Sequence, residues 1–95
     1  MTVYVDDMYR TPMGRYGLLK MSHMIADTTA ELLAMADTIG VDRRWLQDAG
    51  TPEEHFDISL DRRRRAVAAG AVEITMRDMA RIRMARRAEC QGTAT

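Results

Sequence analysis

Apolar residues alternate along two segments near the start of the chain, and this two-residue period predicts β-strands. In residues 2–6, Val3 and Val5 share one face and Tyr4 lies on the other, a pattern typical of a strand covered on both sides. A second strand is predicted over residues 18–25. Alternate positions of that strand form a largely apolar face made of Leu19, Met21, His23 and Ile25.

Apolar positions spaced three and four residues apart predict three helices in the rest of the chain. The first helix begins at a capping box formed by Thr28 and Glu31 and ends before a glycine. Ser59 caps a second helix, which covers residues 60–69. The third helix covers residues 76–88.

Two short strands are predicted between these helices, at residues 43–47 and 72–74. Residues 8–17 contain proline and glycine and are predicted to form a loop. The alternation of strands and helices predicts a small α/β domain with a mostly parallel or mixed four-stranded sheet and about three helices. We expect this single domain to cover residues 1–90 and residues 91–95 to form a frayed tail.

The charge of the 95-residue chain is balanced overall but unevenly distributed. Residues 1–60 carry five Lys/Arg and ten Asp/Glu, a net charge of −5, whereas residues 61–95 carry nine arginines and four acidic residues, a net charge of +5. This asymmetry can attract an anion, but pairing between the two halves of the fold is the favoured explanation. A single cysteine, with no signal-peptide pattern and no membrane-length apolar run, predicts a cytoplasmic protein.

Polar side chains follow the ends of the predicted strands, which is where ligands bind in α/β sheets. If the strands run parallel, these side chains meet at one edge of the sheet. The ligand-binding residues predicted by this rule are Asp6, Asp7, His23, Asp27, Gln47, His55, Asp57 and Ser59. His55 and Asp57 are two residues apart in an extended segment and therefore project to the same side.

Four consecutive arginines stand near the start of the second predicted helix, where the helix dipole disfavours positive charge. Helical phase places Arg63 and Arg64 beside the buried face and directs Arg62 and Arg65 to solvent. Arg63 and Arg64 can clamp a phosphate or carboxylate group at the sheet edge, or they can form ion pairs with Asp57 and other carboxylates. The sequence favours neither role.

The candidates for acid–base catalysis are His55, Asp57 and His23. His23 shares its strand face with apolar residues, so a core histidine bonded to a backbone carbonyl is the favoured role for it. Together with Asp6, these three residues can also form a mixed nitrogen and oxygen site for a divalent metal ion. Because no paired-ligand motif is present, we assign no metal site and no cofactor from the sequence.

The third predicted helix is basic and has a weak apolar stripe formed by Met76, Ala80 and Met84. Such a helix can contact nucleic acid, a protein partner or a second copy of the chain. Because the net charge is zero, an amphipathic helix packed on the sheet is favoured over nucleic-acid binding. Trp45, which follows two arginines, is likewise expected to be a buried strand residue.

Several segments, taken in order, resemble a family of small bacterial and phage proteins catalogued as domain of unknown function 4031. The resembling positions are residues 3–7, 22–27, 45–47 and 55–59, with Arg64, Ala66, Gly70 and Ala71. The resemblance extends nearly to Thr75, although this chain has Phe56 where the family usually has tyrosine and Asp61-Arg62-Arg63 where it often has Ser-Lys-Arg. It implies no activity, and for a phage-encoded chain it implies the host cytoplasm.

Three functions are open at this point. The leading hypothesis is the binding of a small phosphorylated or nucleotide-like anion in a pocket of histidine, aspartate and arginine side chains. The second is a hydrolase or phosphoryl-handling enzyme that uses His55 and Asp57, with or without a metal ion. The third is an interaction module that docks a protein or a nucleic acid through the basic C-terminal helix.

Overall fold

The computed structural model describes residues 2–93, and it describes the side chains of residues 2–90. The strands of the described chain are β1 (Val3–Val5), β2 (Arg15–Tyr16), β3 (Leu19–Ala26), β4 (Phe56–Ser59) and β5 (Val72–Glu73). The α-helices are α1 (Thr29–Ile39), α2 (Leu60–Ala68) and α3 (Met76–Thr93). Short 3₁₀ helices cover Met8–Arg10, Pro12–Gly14 and Arg43–Trp45.

The strands form one mixed sheet, in which β3 pairs with three of the other four strands. β3 runs antiparallel to β1, β2 and β4, and β1 runs parallel to β5. The predicted α/β class and mixed sheet are confirmed, with five strands in the described chain in place of four. However, α1 connects β3 to β4, which are antiparallel neighbours, so this unit is not the parallel crossover that the order of elements suggested.

The main hydrophobic core lies between one face of the sheet and the helices α1 and α2. Val5, Met24 and Phe56 enter it from three different strands and are fully buried. α1 contributes Leu32 and Ile39, and its bounds follow from the capping box at its start. Because strand side chains alternate between faces, the residues next to these core positions lie on the second face of the sheet.

The predicted strand at residues 43–47 is wrong. The first part of this segment is a 3₁₀ helix, in which the Asp42 side chain accepts a hydrogen bond from the backbone N–H of Arg44. Gln47 makes an isolated β-bridge to His55. Trp45 is 60% exposed and is therefore not the expected buried strand residue. The strand in this part of the chain is β4, which the sequence indicated only as an extended segment.

Two other segments also differ from the prediction. The predicted loop at residues 8–17 contains two 3₁₀ helices and β2, which forms a hairpin with β3. The predicted frayed tail is helical at residues 91–93, because α3 continues to Thr93. Residues 94 and 95 lie outside the described part of the chain.

α3 lies over the second face of the sheet and uses a different stripe from the predicted one. Its less exposed positions are Met76, Asp78, Met79, Ile82, Arg83 and Arg86, and most of them share one helix face. Arg86 Nη2 donates to the carbonyl oxygen of Ala26 in β3 at 2.6 Å, whereas Met84 is exposed. Hydrophobic periodicity identified Met76 but missed the rest of this stripe, because two of its positions are arginines. Within the described residues, none of the helices combines the length and apolar character needed to span a membrane.

Candidate functional site

Strand register places three ionisable residues side by side on the second face of the sheet. The pairing of Val5 with Met24 sets Asp6 next to His23, and the backbone N–H of Asp6 donates to the His23 carbonyl oxygen at 3.1 Å. His23 is in turn the register partner of Asp57 in β4. His55 precedes Asp57 by two residues and shares its face, as the sequence predicted.

Asp6 fixes the position of His23 by contacts with both its backbone and its ring. The Asp6 side chain is fully buried, and its Oδ1 accepts hydrogen bonds from the backbone N–H groups of His23 at 2.9 Å and Met8 at 3.1 Å. Its Oδ2 lies 2.7 Å from His23 Nδ1. An ionised carboxylate can only accept, so Nδ1 carries the proton and the lone pair of a neutral ring is on Nε2. The sequence favoured a backbone carbonyl as the partner of His23, and the partner is this carboxylate instead.

His55 is held in the same way by a backbone carbonyl. Its Nδ1 lies 2.7 Å from the carbonyl oxygen of Glu53, which can only accept a hydrogen bond. Its Nε2 then points toward Asp57 Oδ1, 3.4 Å away. The rings of His23 and His55 meet edge to face with their centroids 5.2 Å apart.

Asp57 lies between the two histidines. Its Oδ2 accepts a hydrogen bond from Gln47 Nε2 at 2.9 Å. Its Oδ1 is buried and accepts no hydrogen bond from the described residues, although His55 Nε2 and His23 Nε2 lie 3.4 Å and 3.9 Å away. A buried carboxylate oxygen without a hydrogen bond is costly, and a proton on His55 Nε2 or a bound cation would satisfy it.

The pKa values of His55 and Asp57 are shifted in the directions expected for a histidine and a carboxylate that are neighbours. Burial disfavours the charged form of His55, but the Asp57 carboxylate and the Glu53 carbonyl outweigh it and raise the pKa of His55 above its ordinary value. The neighbouring His55 ring, helped by Gln47, lowers the pKa of Asp57 despite partial burial. The charge that satisfies such a site is either a proton or a metal ion.

The spacing of these atoms suits a metal ion. One ligand atom from each of His23, His55 and Asp57 lies within 4.8 Å of the others. Two ligand atoms held about 2.1 Å from a tetrahedral ion are roughly 3.4 Å apart, which is the separation found between His55 and Asp57. His23 Nε2 lies 3.9 Å from Asp57 Oδ1, somewhat farther than this separation.

The structure does not bring all the predicted site residues together. Asp27 lies at the opposite end of β1 from Asp6, because β3 is antiparallel, and there it accepts hydrogen bonds from Tyr4 Oη and the backbone N–H of Thr2. Asp7 accepts a hydrogen bond from the backbone N–H of Met76, the first residue of α3. The prediction that all polar side chains at strand ends lie at one edge of the sheet is therefore wrong for Asp27.

Ser59 has the local role that the sequence assigned to it. Its hydroxyl accepts a hydrogen bond from the backbone N–H of Arg62 at 3.3 Å and so caps α2. It also lines a cavity that opens next to Asp57 and Gln47. We refer to His23, His55 and Asp57 as the histidine cluster. Ser59 is thus a neighbour of this cluster, and none of its hydrogen bonds within the described residues goes to it.

The two arginines expected at the site also have other roles. Arg63 is 5% exposed, and its guanidinium donates to the Asp6 carbonyl oxygen and the Glu73 carboxylate, both at 2.8 Å. Glu73, and not Asp57, is therefore its ion-pair partner. Arg64 is exposed, so its predicted place beside the buried face is wrong, whereas Arg62 is partly buried and donates to the Gly40 carbonyl oxygen.

A cavity of about 830 Å³ lies beside the histidine cluster. Asp57 and Gln47 form part of its wall, and exposed apolar residues such as Tyr16 and Trp45 form much of the rest. Arg44 stacks on the Trp45 ring with its guanidinium carbon 4.9 Å from the ring centroid. Trp45 was expected to be a buried strand residue and not part of a site, although its position next to two arginines was a usable signal.

A second residue missed by the sequence analysis is Arg83 of α3. Its charge acts on His55, where it opposes the raised pKa of that ring. Periodicity gave no reason to separate Arg83 from the other arginines of the helix, because only the packing of α3 on the sheet turns this residue inward.

Comparison with known proteins gives one match. The sequence profile of a family described as protein of unknown function (DUF4031) matches residues 3–87, which is most of the chain and includes every residue of the histidine cluster. No curated protein and no solved structure matches the chain. The chain therefore belongs to the DUF4031 family of proteins of unknown function.

Proposed function

We propose that this domain binds a divalent transition-metal ion through His23, His55 and Asp57 and uses it for hydrolysis. The observation that carries the proposal is the convergence of three acceptor atoms, within 4.8 Å of one another, on a point where none of the described residues donates a hydrogen bond to Asp57 Oδ1. Two imidazoles and one carboxylate are a ligand set that zinc, iron and manganese accept.

The residues behind the ligands support this assignment. A ligating histidine usually donates its other ring N–H to a carboxylate or a carbonyl, which fixes the tautomer and the ring orientation. Asp6 and the Glu53 carbonyl do this for His23 and His55, each at 2.7 Å. Gln47 does the equivalent for Asp57 by holding Oδ2 and leaving Oδ1 for the ion.

Three protein ligands leave coordination positions for water and substrate, as in hydrolytic zinc enzymes. An ion held by His23, His55 and Asp57 would lower the pKa of bound water and so would supply a nucleophile for hydrolysis near neutral pH. The cavity beside Asp57 and Gln47 gives the rest of a substrate a place next to the ligands. This assignment favours the hydrolase hypothesis over simple anion capture by Arg63 and Arg64, because Arg63 is bonded to the Asp6 carbonyl and Glu73 and Arg64 is exposed.

Metal content after dialysis tests the proposal. We expect one zinc, manganese or iron ion per chain in the wild type, and cobalt substitution to give the visible absorption of a low-symmetry Co²⁺ site. His55→Gln and Asp57→Asn should both lose the ion, and Asp61→Asn, at an exposed carboxylate of α2, should keep it. Equal metal content in all four proteins, or none in the wild type, would contradict the assignment.

Activity is measured separately from binding. The metal-loaded wild type is tested against chromogenic phosphomonoesters and carboxylic esters, with the dialysed apoprotein and His55→Gln as controls. We expect turnover of one ester class only in the metal-loaded wild type. Binding of the ion without turnover of either class would support a metal-binding domain and contradict the hydrolase part of the proposal.

A further inference from the structure

Two exposed aromatic residues from distant parts of the chain lie in the wall of one cavity. Trp45 belongs to a 3₁₀ helix and Tyr16 to the edge strand β2, and both line the 830 Å³ cavity that also contains Asp57. Arg44 covers one face of the Trp45 ring, and within the described residues no other cation or aromatic ring stacks on it. Exposed aromatic surface concentrated in a cavity is typical of a binding site.

A second cavity, of about 410 Å³, is lined by cations and by no carboxylate. Arg10, Arg15 and Lys20 are three of its six lining residues. Arg15 of β2 and Lys20 of β3 are direct register partners, so two like charges stand side by side across the hairpin, which is destabilising. Within the described residues, none of these three cations forms an ion pair with a carboxylate. An anion bound in this cavity would supply the counter-charge.

The two cavities adjoin each other, because Arg15 lines both of them. Tyr16 and Leu19, the next register pair of the hairpin, line only the larger cavity. We call the two cavities, joined at Arg15, the extended groove. It provides a path from the cationic cavity, past Arg15, to Trp45 and Asp57.

We propose that the extended groove binds single-stranded nucleic acid, with a base stacked on Trp45 and backbone phosphates at Arg15 and in the cationic cavity. Aromatic rings and cations along one groove are the combination with which proteins bind single strands, because bases stack on the rings and phosphates pair with the cations. A duplex keeps its bases stacked inside and cannot offer one to Trp45.

The size of the extended groove favours a chain over a single nucleotide. One small ligand fills roughly 300–1,000 Å³, so the larger cavity alone would accommodate it and the three cations of the second cavity would stay without an anion. The binding surface does not depend on a metal ion. Only the role of nucleic acid as the substrate of the hydrolase rests on the proposed function.

Trp45 is the only tryptophan of the chain, so its fluorescence reports directly on the extended groove. An oligothymidylate of about 12 nucleotides is titrated into the metal-free full chain in EDTA, and binding to the variants is followed by anisotropy of the labelled oligonucleotide. We expect quenching of the Trp45 fluorescence in the wild type. Trp45→Ala should lower the affinity about 5-fold or more, and Trp45→Phe should lower it less because phenylalanine keeps a stacking surface.

The salt dependence of binding tests the cations. The logarithm of the binding constant falls with the logarithm of salt concentration by about 0.7 for each phosphate neutralised on a single strand, so three cations predict a slope of about −2. Arg15→Gln should weaken binding and make this slope shallower by about 0.7. Arg64→Gln is the matched control, since Arg64 is exposed and lines neither cavity, and it should change neither quantity.

Several results would overturn the proposal: no binding by the wild type, an affinity that Trp45→Ala leaves unchanged, or a salt slope that Arg15→Gln leaves unchanged. Equal affinity for thymidine monophosphate or for a duplex would overturn the choice of a single-stranded chain. A wild-type dimer that Trp45→Ala dissociates would show that the exposed rings join two copies of the chain, and would overturn it as well. Circular dichroism confirms that each variant is folded.

Binding in EDTA also separates this inference from the metal assignment. Normal metal content without oligonucleotide binding would overturn the extended groove and leave the metal site standing. Binding that depends on Trp45 and Arg15, in a chain that holds no metal ion, would support the extended groove although the proposed hydrolase had failed its own test.

Discussion

Replacing Arg63 by methionine should destabilise the fold by about 3 kcal/mol. It should leave the three proposed metal ligands unaltered. Arg63 is a buried cation that connects α2 to the residue after β1 through the Asp6 carbonyl, and to β5 through Glu73. Its guanidinium carbon also lies 4.8 Å from the centroid of the Tyr9 ring. Methionine keeps most of the apolar stem and removes all three interactions.

The magnitude follows from the three interactions taken separately. A hydrogen bond from a charged donor to the buried Asp6 carbonyl is worth roughly 1.5–3 kcal/mol. The contact with the Tyr9 ring adds about 0.5–2 kcal/mol. Glu73 is 61% exposed, so its ion pair contributes no more than about 1 kcal/mol after solvent screening. Removing the buried charge also removes its desolvation cost, which offsets part of this sum. The net loss of unfolding free energy is about 3 kcal/mol.

Urea denaturation followed by circular dichroism measures this loss. For a domain of this size, 3 kcal/mol corresponds to a midpoint lower by about 2 M at an m-value of roughly 1.5 kcal/mol/M. Arg64→Met is the matched control, because Arg64 is the exposed neighbour and should change stability by less than about 0.5 kcal/mol. A loss below about 1 kcal/mol in Arg63→Met, or equal losses in the two variants, would refute the structural role given to Arg63.

Three further predictions concern stability. Phe56→Ala, at a fully buried core position, should cost about 3–5 kcal/mol in thermal unfolding, and a loss below about 1 kcal/mol would show that the core is loosely packed there. Gly14→Ala should cost roughly 1–3 kcal/mol in urea, because its Cβ would lie 2.3 Å from the Met8 carbonyl oxygen; an unchanged midpoint would mean that this close approach does not exist. Tyr4→Phe should cost about 0.5–1 kcal/mol at pH 7, since the Tyr4 hydroxyl lowers the pKa of the exposed Asp27 carboxyl. A lowered pKa of Asp27 stabilises the fold above the unfolded pKa of about 3.9, and this stabilisation is lost as the pH falls. The stability difference between Tyr4→Phe and wild type should therefore shrink below about pH 4. A difference that is independent of pH would contradict this role of Tyr4.

The helices were the most predictable part of the molecule. α1 begins at Thr28, whose hydroxyl accepts a hydrogen bond from the Glu31 backbone N–H, and ends at Gly40, which has the left-handed conformation. The start of α2 was equally clear from Ser59. These signals are readable from sequence because the interactions that create them join residues at most four positions apart.

The order of the strands was much less predictable. Nothing local to residues 43–59 distinguishes the 3₁₀ helix at Trp45 from the strand that begins at Phe56, since both segments alternate in character and both are short. The helical phase of α2 also misplaced Arg64, because an apolar stripe does not reveal that the buried cation is Arg63. Tertiary packing decided that point by offering Arg63 the buried carbonyl of Asp6, just after β1, as an acceptor.

By itself, the sequence determined that the chain forms a small α/β domain, where its three helices begin, where α1 ends, and that His55 and Asp57 share a side. Only the tertiary structure decided which other groups join them. The antiparallel direction of β3 carries Asp27 away and brings Asp6 beside His23, and the packing of α3 turns Arg83 inward. The physical reason is that strand direction and helix docking are set by contacts between distant segments, which no local pattern of residues specifies.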